Sequence, residues 1–103
     1  MKESVLIIDQ GSHSSRALVF DNNAELVASA SVTIETAFPQ EQFVEQSPLA
    51  VLQSVEEAIT TVFSSLNIKQ QGAIRSAALI VQRSSLLACH KDTLQAITPI
   101  ISW

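Results

Sequence analysis

Asp9-Gln10-Gly11-Ser12-His13-Ser14-Ser15-Arg16 gathers a carboxylate, three hydroxyls, an imidazole and a guanidinium into eight consecutive residues. Little apolar surface comes with them. Hydroxyls and backbone N–H groups in a tight bend can surround the oxygens of a phosphate, and a glycine lets the backbone approach it closely. Asp9, at the end of the run that enters the bend, can cap the turn.

Two short apolar runs, Val5-Leu6-Ile7-Ile8 and Ala17-Leu18-Val19-Phe20, flank this bend. They predict strands over 4–9 and 15–21, so the polar octapeptide becomes the turn of a hairpin. Asp21-Asn22-Asn23 marks the next turn. Leu26, Ala28, Ala30, Val32 and Ile34 then alternate with polar positions, a period of two that predicts a third strand and an antiparallel meander. Residues 35–47 are polar and irregular. Ser47-Pro48 opens a helix, the serine as cap and the proline at the first helical position. Leu49, Leu52, Val55, Ile59, Val62, Phe63 and Leu66 predict its buried stripe, with Gln53, Glu56 and Glu57 opposite, on a helix of roughly 28 Å at about 1.5 Å per residue. After Gly72, Ile74–Val81 is an unbroken apolar run of the kind found in a central strand buried on both faces. Ser85–His90, the turn Lys91-Asp92-Thr93 and Ala96–Trp103 predict a second hairpin-like pair.

The 103 residues hold one domain at most, and 47% hydrophobic with 16% charged residues describes a packed chain rather than a disordered one. The net charge of −4 and the absence of a Lys/Arg cluster argue against a nucleic-acid partner. A single cysteine, Cys89, rules out an internal disulfide and suits a reducing compartment. It is expected in the core, and its neighbour His90 points to the opposite face of an extended chain, so the two do not form a nucleophile–base pair. No signal peptide or membrane-spanning run is apparent, so the expected location is cytoplasmic, with no membrane partner. The sequence stops in the apolar run Pro99-Ile100-Ile101-Ser102-Trp103, as a fragment of a longer chain would. An apolar strand left at that edge is expected to self-associate.

Several motifs together resemble one family. The octapeptide is similar to the first phosphate motif of the sugar and polyol kinases named after their FGGY signature, most closely the glycerol kinase branch. Phe38-Pro39-Gln40 with Phe43-Val44-Glu45-Gln46-Ser47-Pro48 resembles that family's FPQ…WVEHDP, Gln82-Arg83 its Asn-Gln-Arg-Glu, and Ile101-Ser102-Trp103 its Ile-Val-Trp. The resemblance implies an α/β, ribonuclease-H-like fold of the actin/hexokinase superfamily: a mixed five-stranded sheet with flanking helices, here incomplete. Residues 1–103 would be the amino-terminal part of the first kinase domain. The implied reaction is phosphoryl transfer from MgATP to a small sugar or polyol, by a parent that forms homo-oligomers.

Residue by residue, the resemblance assigns Asp9 to Mg²⁺, Ser12, His13, Ser14 and Arg16 to the nucleotide phosphates, and Arg83, Ser84 and Trp103 to the substrate wall. The catalytic base would lie beyond Trp103, leaving this chain inactive alone. Two positions depart from the pattern. His13 replaces a hydroxyl residue, either as a phosphate donor or as an exposed loop histidine. Ser84 replaces a glutamate, trading a carboxylate that accepts two hydrogen bonds from a diol for one short hydroxyl, which weakens the case for glycerol itself. Trp103 reads equally as a substrate platform or a core anchor, and Gln82 as supporting structure. Two other readings are a short non-catalytic binding module of this fold and an ATPase-superfamily piece without sugar chemistry.

Overall fold

The computed structural model describes residues 3–41 and 43–102. Strands β1 (Ser4–Gln10), β2 (Ser14–Phe20) and β3 (Leu26–Thr33) form the expected antiparallel meander. The turn between β2 and β3 is organised by Asp21, whose Oδ1 accepts from the N–H groups of Asn23 at 2.8 Å and Glu25 at 3.0 Å. Ala24 closes it with a left-handed φ of 60°. The 35–47 segment, expected to be irregular throughout, carries a short strand β4 (Val44–Gln46).

Helix α1 (Pro48–Ser64) starts as its sequence dictates: Ser47 Oγ accepts from the Ala50 N–H at 3.2 Å, and proline occupies the first turn. Its buried stripe is Val51, Ser54, Ala58 and Val62, rotated from the predicted one. Leu49 and Leu52 are exposed, while Ser54 is buried because it finds a hydroxyl partner on the sheet. Helix α2 (Ile68–Ala73), which periodicity did not signal, is nucleated by a capping box between Asn67 and Gln70.

Strand β5 (Ile74–Val81) runs parallel to β1, giving one mixed sheet in the order β3-β2-β1-β5. Strand β6 (Ile100–Ser102) pairs antiparallel with β4 in a separate ribbon. The main core lies between α1 and one sheet face, where Leu6, Ala17, Val19, Ala58, Val62 and Leu66 meet. A smaller cluster of Ile34, Val51 and Ile100 joins the ribbon to the helix.

Two expectations about burial are corrected. Strand β5 is an edge strand, and Leu79, Ile80 and Val81 are more than half exposed, because α1 lies over β2 and β3 and no described element covers β5. Cys89 is exposed rather than in the core, since residues 85–99 form an arm, linked by the Leu86–Ile101 and Cys89–Ala96 bridges, that lies off the sheet. The Cα radius of gyration, 15.9 Å, exceeds the ~13 Å of a closed domain of this size, as an uncovered sheet and an arm require. Strand β6, expected to be an open edge, is flanked at Ile101 by Glu45 on one side and Leu86 on the other. Among the described residues no helix is long and apolar enough to cross a membrane.

Candidate phosphate and substrate cleft

Strand alternation divides the polar octapeptide between the two faces of the sheet. Gln10 and Ser15, cross-strand partners, are buried on the helix side. Asp9 and Arg16, also partners, stand on the uncovered face. There the Arg16 guanidinium donates twice to Asp9 Oδ2, from Nε at 3.2 Å and from Nη2 at 2.5 Å. Oδ1 accepts no hydrogen bond among the described residues, so one carboxylate oxygen remains open to a cation. Those residues contain no cluster of three or more carboxylate, His or Cys ligands. Asp9 is thus the single carboxylate that these residues offer to a cation on this face, and one carboxylate is compatible with Mg²⁺, which accepts phosphate oxygens and water as its other ligands.

The bend itself is Gly11-Ser12-His13. The Gly11 N–H donates to the Ser14 carbonyl at 2.9 Å, and the Ile34 N–H donates to the His13 carbonyl at the same distance. A Cβ on Gly11 would sit 3.1 Å from the Ser14 carbonyl oxygen, a tight contact that a larger residue could keep only if the bend gave by a few tenths of an ångström. The Ser12 and His13 N–H groups and the Ser12 and Ser14 hydroxyls have no protein partner among the described residues. They form a set of uncommitted donors around the bend, those of Ser12 and His13 at the edge of a cleft.

That cleft, about 560 Å³, brings distant parts of the sequence together. Ser12 and His13 form one side; Thr36, Phe38, Val44 and Gln46 come from the segment before α1; Gln82 and Arg83 follow β5, with Ser102 from β6 beyond them. The predicted phosphate turn and the predicted substrate arginine thus face one space, although more than sixty residues separate them in sequence. Ser84 lies outside the lining, exposed, with a left-handed φ of 57°. Ser85 takes the inward position, its hydroxyl 2.9 Å from Gln82 Oε1 and 3.3 Å from Ser102 Oγ. Asp9, Ser14 and Arg16 do not line this cleft; they continue the bend onto the open sheet face. Trp103 is outside the described residues.

Over residues 4–103 the sequence matches the family model for the FGGY family of carbohydrate kinases, N-terminal domain. The chain belongs to that family. It is 32% identical over its whole length to a glycerol kinase of Paenarthrobacter aurescens, covering 20% of that protein. To an apulose kinase of Pectobacterium atrosepticum it is 30% identical over 96% of its length, covering 19% of the relative. The crystal structure of a gluconate kinase from Lactobacillus acidophilus superposes with a TM-score of 0.86 at 21% identity, over all of this chain and 20% of that one. The ribonuclease-H-like fold expected for this family is present, with four strands of its mixed sheet among the described residues. The chain spans about a fifth of the length of the relatives it matches.

Sequence reasoning missed Thr36, Phe38 and Gln46 as cleft residues. They sit in an irregular stretch where no periodicity assigns a face. Phe38 and Gln46 fall inside the Phe38–Gln40 and Phe43–Pro48 motifs, and membership of those motifs is the signal that pointed there.

Proposed function

We propose that this chain is the amino-terminal part of an ATP-dependent sugar or polyol kinase that transfers the terminal phosphoryl group of MgATP to a substrate hydroxyl. The observation that carries the reading is the shared cleft of Ser12, His13 and Arg83 in a chain of the FGGY family. In this reading the free N–H groups of Ser12 and His13, with the Ser12 and Ser14 hydroxyls, receive phosphate oxygens. Arg16 offsets charge that builds up on the transferring group, and its bond to Asp9 Oδ2 holds that carboxylate with Oδ1 outward. Asp9 would hold Mg²⁺, which would supply positive charge against the phosphate oxygens. Arg83 lies on the substrate side of the cleft, where a guanidinium supplies several donors to hydroxyl oxygens, while Ser84 points away from that lining and Ser85 takes the inward position.

The catalytic base belongs to the rest of the parent, and the chain alone does not turn over. The loss of the family's glutamate at position 84, where serine stands, favours an acceptor other than glycerol by removing a carboxylate and not by adding a contact. The exposed free thiol of Cys89 supports a reducing, cytoplasmic setting. The test is phosphoryl transfer by the full-length protein across a panel of polyols, pentuloses and sugar acids. Mg²⁺-dependent turnover of at least one, lost in Asp9→Asn, is the expected result. Substrate-independent ATP hydrolysis alone, or no nucleotide binding, overturns the assignment. The non-catalytic alternative draws its support from His13 and Ser84, and nucleotide binding without transfer to any acceptor is what it predicts.

A further inference from the structure

Three glutamines, from three distant parts of the chain, meet at the cleft, Gln46 and Gln82 in its lining and Gln10 beside them. Gln46, only 3% exposed, donates from Nε2 to the Ser12 carbonyl at 2.7 Å and to Thr36 Oγ1 at 3.2 Å. Its Oε1 accepts from Gln82 Nε2 at 3.0 Å. The second Gln82 proton goes to Gln10 Oε1 at 3.2 Å, and Gln10 Nε2 donates to the Gly11 carbonyl at 2.8 Å. Ser85 Oγ donates to Gln82 Oε1 and closes the chain. The amide orientations follow from this pattern: turning Gln46 over would set its oxygen against the Ser12 carbonyl and its nitrogen against the Gln82 amide.

A peptide group is planar and trans, so its carbonyl and N–H point in opposite directions. Holding the Gly11 carbonyl fixes the direction of the Ser12 N–H. Holding the Ser12 carbonyl fixes the direction of the His13 N–H. These are the two backbone donors left open at the bend. We infer that Gln10 and Gln46 are positioning residues that aim the Ser12 and His13 N–H groups, and that Gln82 ties this aim to Arg83, so that the phosphate turn and the sugar wall are organised as one unit. The inference rests on the proposed kinase reading for its ligands and on the hydrogen bonds above for its geometry.

The requirement at position 46 is one donor toward Ser12 and one acceptor toward Gln82. Neutral histidine meets it, with one ring nitrogen donating and the other accepting. Leucine meets neither requirement.

The experiment uses the full-length protein with Gln46→Leu, Gln46→His, Gln82→Leu and, as a destabilised control away from the cleft, Asn67→Ala. Gln46→Leu and Gln82→Leu are expected to raise KM for ATP and KM for the acceptor together, each by about tenfold, with a smaller change in kcat. Gln46→His is expected to restore both to within about threefold of wild type, and Asn67→Ala to move neither. Hydrogen–deuterium exchange of the unliganded protein supplies a readout free of turnover: Gln46→Leu should speed exchange in both the 10–14 and 82–86 segments. A rise in only one KM, failure of histidine to restore, or faster exchange confined to 10–14 overturns the coupling. If wild type phosphorylates nothing, the kinase reading fails, and exchange in the two segments alone decides the relay. If Gln46→Leu does not fold, Gln82→Leu and Gln46→His carry the same comparisons.

Discussion

The buried hydroxyl pair between the phosphate motif and α1 permits a prediction of sign as well as size. Ser15 has no exposed surface and Ser54 is 4% exposed, with their oxygens 2.7 Å apart. Ser54 Oγ also lies 2.6 Å from the Val51 carbonyl, which can only accept. The Ser54 proton is therefore spent on Val51, and Ser15 is the donor in the pair. Ser54→Ala strands a fully buried O–H on Ser15, a loss of about 1–3 kcal/mol. Ser15→Ala removes one hydrogen bond but leaves the Ser54 proton on Val51, so about 0.5–1.5 kcal/mol is expected. In the double variant both hydroxyls give way to methyl groups on an apolar face, where loss of both partners is close to neutral. Adding Ser15→Ala to Ser54→Ala should thus stabilise the protein, although Ser15→Ala alone destabilises it. Urea unfolding of wild type, the two single variants and the double variant, compared at a common slope, measures the cycle. Additive losses, or a larger loss for Ser15→Ala than for Ser54→Ala, would refute the donor assignment and the claim that this pair locks β2 to the helix.

Further outcomes follow from single contacts. Ala24→Gly removes the cost of a left-handed φ at a Cβ-bearing residue in an exposed turn and should stabilise the protein by about 0.5–1 kcal/mol in thermal unfolding. Asn67→Ala breaks the α2 capping box and should cost about 1 kcal/mol, with Asn67→Asp retaining most of it, both read by urea titration. Arg16→Lys keeps the charge but loses the two-pronged grip on Asp9; with Arg16 half-exposed the stability change should stay under about 1 kcal/mol, while kcat of the full-length enzyme falls by about a hundredfold. Equal losses in stability and turnover for Arg16→Lys would place the pair in the scaffold instead of the reaction.

Legibility from sequence tracked how local each determinant was. The β1–β3 meander was readable because alternation, the Asp21 turn and the glycine bend all lie within a few residues of what they control. The start of α1 was readable from Ser47-Pro48, but its face was not. With apolar residues at 49, 51, 52, 55, 58 and 59, more than one stripe satisfies a helical period, and the choice was made by Ser15 on β2, which draws Ser54 inward. The apolar run of β5 marked it as a strand; its exposure depends on what lies over it, which no residue in the run encodes. Helix α2 had a local signal, Asn67 followed three residues later by Gln70, of the kind that marks a capping box. The cleft was half legible: its turn and Arg83 carry recognisable motifs, whereas Gln46 and Thr36 act through long-range amide bonds that leave no periodic trace.

The octapeptide does two jobs because a strand has two faces. Residues directed to the uncovered face, Asp9 and Arg16, are free for chemistry, and their bond to each other holds one carboxylate oxygen outward. Residues directed to the helix, Gln10 and Ser15, are buried and spend their polar groups on fixing the bend and the strand. A substitution on the helix side therefore reaches the reacting groups only through backbone position, and one on the open side alters them directly. The first kind should change stability and both binding constants together, as for Gln10 or its partner Gln82. The second should change turnover at nearly constant stability, as for Arg16→Lys. The alternation of one hairpin thus separates scaffold from chemistry within eight residues, and the divergence between those two classes of variant is the measurable sign of it.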